Sequence, residues 1–166
     1  KRQVDIHADE VYAKSRENLD KMLKEGVLIQ DERPLLYIYR QVMDGRAQTG
    51  LVACASVDEY MDGRIKKHEL TLEAKEQDRI RHFDTCDANT APIFLSYRAS
   101  AEVDKLIADY IAAHKPNADF TSEDGIQHIT WVIEDEKVVE AIIAAFKKVE
   151  ALYIADGHHR CASSAK

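Results

Sequence analysis

Apolar positions along the chain switch repeatedly between two spacings. Over 9–25, Val11, Leu19, Met22 and Leu23 fall on one side of a helix, and Gly26 supplies a stop just past its end. PLLYIYRQ at 34–41 changes to the branched and aromatic content of a strand. Asp44-Gly45 then signals a hairpin, with a second strand expected over 49–57. A polar helix is predicted over 71–82, with Thr71 as its N-cap. PIFLSY at 92–97 reads as a third strand. Ser100 caps a helix reaching His114, in which Val103, Leu106, Ile107, Tyr110 and Ile111 recur at helical spacing. After a polar loop carrying Pro116, Asn117 and Gly125 come a fourth strand at 126–133 and a helix over 136–149. The helix carries Val138, Val139, Ile142, Ile143 and Phe146 on its buried side, and a short fifth strand, ALYIA, follows it.

This alternation, with a hairpin near the start, predicts an α+β (mixed α/β) fold in a single domain over 1–166. Residues 1–33 form a helical lead-in and 34–166 the core. The chain breaks off a few residues into a new helix, CASSAK, so the expectation is a fragment of a longer protein.

Composition narrows the classes. The 166 residues are 45% hydrophobic and 32% charged, with 3 prolines and 6 glycines, which suits one folded core rather than disorder. No apolar run approaches the roughly 20 residues of a membrane helix, and no signal-peptide pattern is present. A net charge of −7 argues against broad nucleic-acid binding, which needs a basic face. Cys54, Cys86 and Cys161 are odd in number and widely spaced, as expected of reduced thiols in a cytoplasmic protein. Cys54, within an apolar stretch, reads as a buried small hydrophobe. Trp131 and the tyrosines of LYIYR read as core and strand residues, and His7, His114 and His128 have no partner at a telling spacing.

The densest chemistry lies in YIADGHHRCA at 153–162. A buried strand there ends in a glycine turn and a helix start, an arrangement that presents free backbone N–H groups to anions. Asp156, Gly157, His158, His159 and Arg160 surround that turn. Arg160 can grip a phosphate with two donors, and Gly157 allows a ligand close to the backbone. The plainer alternative is a solvated turn with Asp156 capping the next helix. A metal site ranks third, because adjacent histidines rarely face one ion, and no metal ligands are assigned.

The DGHHR run resembles the signature of the ParB/sulfiredoxin-like superfamily, and most closely that of the ParB-like free-serine kinase. The resemblance implies a nucleotide-phosphate site formed by Asp156, Gly157, His158, His159 and Arg160. His158 stands where sulfiredoxin carries its reactive cysteine, which argues against a sulfinic-acid reductase. Longer stretches, LYIYRQ, GLVACASVDEY, KKHELT, KEQDRIRHFDTCDANTAPIFLSY and YIADGHHRCASSA, resemble the domain-of-unknown-function 1015 family. Members of that family are longer and continue at both ends.

A second cluster, KKHELTLEAKEQDRIRH at 66–82, reads mainly as a solvated charged helix. Asp78, His82 and Cys86 share one face at metal-ligand spacing. His68 and Glu69 precede the helix, and resemblance to the kinase implies that Glu69 is the general base, with His68 beside it. Thr85, Asn89 and Thr90 fall in a loop before a strand, and Asn89 is the candidate there for ligand binding. Three functions are compatible with these residues. The first is a nucleotide-dependent phosphotransferase acting on a small hydroxylated metabolite, using ATP, ADP or CTP with Mg2+. The second is a non-enzymatic nucleotide-binding regulatory switch. The third is a metal-dependent hydrolase built on His158, His159, His68 and Asp156.

Overall fold

The computed structural model describes residues 5–166. In chain order the elements are α1 (Asp9–Lys24), β1 (Leu36–Met43), β2 (Arg46–Val52), α2 (Val57–Met61), β3 (Ile65–Lys66), α3 (Glu73–Cys86) and β4 (Phe94–Tyr97). There follow α4 (Ala101–Ala113), β5 (Ala118–Thr121), β6 (Gln127–Ile133), α5 (Glu136–Lys147), β7 (Leu152–Asp156) and α6 (His158–Ser164). The fold is α+β, with open sheets and flanking helices, and its elements fall into two compact units. No helix among the described residues is long and apolar enough to cross a membrane.

One unit comprises Asp31–Ala55 and Arg98–Glu150. Its antiparallel sheet runs β2-β1-β6-β5. The β1–β2 turn is Asp44-Gly45, with φ of 51° and 77°. Two successive left-handed residues match the right-handed twist of a tight hairpin. On β6 every second residue is buried, namely Ile129, Trp131 and Ile133, and Ile38 of β1 is fully enclosed. The Ser100 hydroxyl accepts from the Val103 N–H and caps α4, while Asp135 caps α5 through the Lys137 N–H. Both helices bury apolar faces, Val103, Ile107 and Tyr110 on α4 and Ile142 and Ala145 on α5. Strand β5 was not expected: all four of its residues are exposed, so no alternation marks it. Backbone pairing along the edge of β6 holds it instead.

The expected second strand ends early, at Val52, and residues 57–61 form α2, capped by Ser56 through the Glu59 N–H. Cys54 therefore lies outside the strand and is exposed, which corrects its placement in the core. Of the β1 aromatics, Tyr39 is half-buried and hydrogen-bonds His128 at 2.6 Å, and His128 also meets Ser122 at 3.0 Å.

The other unit comprises, among the described residues, 5–30, Ser56–Tyr97 and Ala151–Lys166. Its three-stranded sheet runs β3-β7-β4, with β7 parallel to β3 and antiparallel to β4. Helix α1 carries Asp9 and Glu10 in its first turn and Lys21 and Lys24 in its last, opposing the partial charges of its ends. It packs on α3, where the buried Tyr12 hydroxyl donates to Asp78 at 2.6 Å and His7 lies 2.9 Å from the same carboxylate.

Helix α3 begins one residue later than the sequence implies. Leu72 occupies the N-cap and has no side-chain acceptor to offer, while the Thr71 hydroxyl donates to the carboxylate of Glu76. The helix also runs past His82 to Cys86, taking Thr85 out of the expected loop.

Candidate functional site

Strand β7 delivers the site. Ile154 is 1% exposed and anchors the strand in a core with Tyr60, Ile65, Cys161 and Ala162. Two residues on, Asp156 ends the strand and Gly157 takes φ 94° and ψ 30° as the N-cap of α6. A Cβ at Gly157 would sit 2.9 Å from Ile93 Cγ2 and 3.1 Å from Arg160 Nε. The close approach that glycine permits is therefore made by the chain's own arginine. The Arg160 guanidinium folds back over the turn and donates from Nη2 to Asp156 Oδ2 at 2.8 Å. Asp156 thus pairs with Arg160 and does not cap α6. Arg160 Nε is buried without a hydrogen-bond partner.

The two histidines diverge, as successive helical residues about 100° apart must. His158 is buried, its ring meeting that of His68 edge-on at 4.3 Å, with Nδ1 3.6 Å from Glu69 Oε2. His158 Nε2 is enclosed with no hydrogen-bond partner. His159 turns the other way, its Nε2 accepting from the Leu72 N–H at 3.3 Å. That contact satisfies the N–H of the N-cap residue of α3.

These residues enclose an open cleft of about 240 Å³, lined by Glu69, Arg79, Ala155, Asp156, Gly157, His158, His159 and Arg160. The lining thus combines two guanidinium groups, two carboxylates and two imidazoles, with Ala155 as its one apolar side chain. The sequence-predicted motif and Glu69 come together here, and His68 backs the wall through His158. Asn89 does not line the cleft; it accepts from the Ser164 hydroxyl at 3.1 Å near the far end of α6.

Arg79 is the lining residue that sequence reasoning left in the solvated charged face. Its signal was weak: it stands one turn after Glu76, on the helix that packs against α6. The remaining charges of 66–82 go elsewhere. Glu76 is 4% exposed, and Lys166, then Thr71, hydrogen-bond its carboxylate and hold it below the usual carboxylate range. Asp78 faces Tyr12, and Cys86 Sγ lies 3.8 Å from His82 Nε2, so Asp78, His82 and Cys86 do not converge. Among the described residues, the metal-ligand side chains that do converge are His68, Glu69 and His158.

Helix α6 is fixed from below. Cys161, Ala162 and Ser163 are buried, and the Ser163 hydroxyl lies 2.6 Å from the His159 carbonyl and 3.2 Å from that of Glu76 on α3. Burial pushes the Cys161 thiol up, away from the thiolate a redox nucleophile requires.

Fold and site define an α+β protein with a charge-balanced polar cleft at the end of a central strand. The chain belongs to the family described as protein of unknown function (DUF1015), whose model matches residues 1–166. No curated protein and no solved structure matches it.

Proposed function

We propose that the cleft binds the phosphate groups of a nucleotide and supports phosphoryl transfer to a small hydroxylated metabolite. The observation that carries this reading is the convergence of Glu69 with Asp156, Gly157, His158, His159 and Arg160 on one open cleft. Arg160 and Arg79 offer guanidinium donors to phosphate oxygens, and the Glu69 carboxylate, 61% exposed, is free to take a proton from an acceptor hydroxyl. Asp156 offers an oxygen ligand of the kind Mg2+ prefers. Phosphoryl transfer depends mostly on positioning and charge neutralisation, and the lining supplies both kinds of group.

The size of the cleft bears on the ligand. At about 240 Å³ it falls below the roughly 300–1,000 Å³ of sites that enclose a whole small molecule, and its lining holds no Phe, Tyr or Trp. It suits a phosphate chain, with the nucleoside lying beyond these residues. The likeness of DGHHR to the ParB/sulfiredoxin-like superfamily supports the same reading, and the free cysteines agree with a cytoplasmic setting.

The test is a thermal-shift screen of the protein against ATP, ADP, CTP and pyrophosphate, with and without Mg2+. A rise in melting temperature that Arg160→Ala abolishes is the expected result. Absence of a shift with every one of these anions overturns the reading. Binding without turnover over a panel of hydroxylated metabolites moves it to a regulatory nucleotide switch.

A further inference from the structure

We infer that His68, Glu69 and His158 form a binding site for one divalent transition-metal ion of the Zn2+, Co2+ or Mn2+ type, set in the wall of the cleft. One ligand atom from each of the three lies within 4.8 Å of the others. The Glu69 carboxylate lies beside both rings, with Oε2 3.6 Å from His158 Nδ1 and Oε1 3.9 Å from His68 Nε2. Both separations exceed hydrogen-bond length, so the three groups are not gathered by bonding to one another. A tetrahedral ion with bonds of about 2.0–2.1 Å holds its donors about 3.4 Å apart, within a few tenths of an ångström of the two spacings. The His68 and Glu69 side chains are 60% and 61% exposed and can turn to close that difference.

His158 is the fixed member of the set. Its side chain is 5% exposed, and the nitrogen it presents to Glu69 is Nδ1. The donor set fixes the class of ion: two imidazoles and one carboxylate suit borderline transition ions, whereas Mg2+ and Ca2+ select oxygen ligands. Three protein donors leave at least one position open, and because Glu69 and His158 line the cleft that position is available to water or to an oxygen of a bound ligand.

The inference goes beyond nucleotide binding and does not require it. With the ion bound, Glu69 is a ligand, and its work as a proton acceptor is confined to the metal-free state.

The experiment titrates metal-free protein, prepared without a histidine tag, with Co2+ followed by visible absorption and with Zn2+ followed by calorimetry, both in the absence of nucleotide. Saturation at one equivalent, with cobalt bands of nitrogen and oxygen ligation, is expected. His68→Ala and Glu69→Gln, at exposed positions that keep the fold, should each weaken binding by roughly tenfold or more. His128→Ala, in the other unit, should leave it unchanged, and excess Mg2+ should not compete. No saturable binding overturns the site. So does binding that His68→Ala and Glu69→Gln do not weaken, or that Mg2+ displaces at comparable concentration. A failed nucleotide screen leaves this result standing, and the reverse holds too.

Discussion

Arg160 is held by Asp156: its Nη2 donates across 2.8 Å to the carboxylate four residues earlier, and the guanidinium lies against Gly157. A phosphate entering the cleft therefore competes with an internal anion for the same donor. Asp156→Asn should tighten binding of metal-free pyrophosphate by about fivefold, the scale of one partly exposed charge pair. Calorimetry checks it. If Asp156→Asn loses pyrophosphate as fully as Arg160→Ala does, the carboxylate positions the arginine and does not compete with the ligand.

Gly157→Ala puts a methyl group on a left-handed residue and drives it to 2.9 Å from Ile93 and 3.1 Å from Arg160 Nε. Backbone strain alone costs about 1–3 kcal/mol, and the arginine must leave its seat. Chemical denaturation should register that loss, together with a diminished pyrophosphate response. Gly50→Ala, at a glycine with open space around it, should stay within about 1 kcal/mol of the parent. Equal effects at the two positions would dismiss the steric account.

Ile154→Ala hollows the core directly beneath the site, where the side chain is 1% exposed. Truncating such an isoleucine costs about 2–5 kcal/mol. On the same strand Tyr153 is 40% exposed, and Tyr153→Ser should cost far less. Denaturation midpoints of the two variants give the comparison; a reversal of their order would contradict the alternation of β7.

The Tyr12–Asp78 bond predicts a stability with two limits in pH. The hydrogen bond from Tyr12, aided by His7, holds the Asp78 carboxyl below its ordinary value of 3.8. A lowered carboxyl contributes stability above its unfolded pKa and loses it as pH falls through the folded one. The same bond raises the Tyr12 phenol above its ordinary 10.0, a contribution complete below that value and lost as pH rises through the folded pKa. Tyr12→Phe should therefore lower the melting temperature by several degrees between about pH 5 and 9. The difference should narrow below about pH 4 and again above about pH 10. A difference constant from pH 3 to 11 would show that packing, not the charged hydrogen bond, is what Tyr12 contributes.

Legibility in the sequence follows how local each determinant is. Ser100, Gly26 and Asp44-Gly45 act on their immediate neighbours, and the two helices and the hairpin turn they mark lie where the sequence puts them, although the strand after the turn runs over Arg46–Val52. The Ile129, Trp131 and Ile133 alternation is equally local. Thr71 stands one residue before the N-cap, where its hydroxyl donates to a buried carboxylate five residues on, and His159, from a distant segment, accepts the N–H of Leu72. Strand β5 owes its existence to the edge it pairs with and not to its own residues. The motif at 156–160 was legible as a site. Its neighbour Arg79 was not, since only the packing of α3 against α6 in one unit brings it to the cleft.

The position of β7 bears on how the chain acquires its structure. Strands β3 and β4 do not pair with each other; both are joined through β7, which belongs to the segment Ala151–Lys166. A ribosome making this chain completes every strand of the hairpin-bearing unit before β7 emerges, and synthesis at about 5–20 residues per second makes that a real interval. During it, the edges of β3 and β4 wait unpaired, the state in which strand edges invite wrong partners. The segment that brings the cleft's arginine and histidines is also the one that closes the sheet. A nascent chain thus has no assembled cleft to bind ligand until its own sheet is sealed.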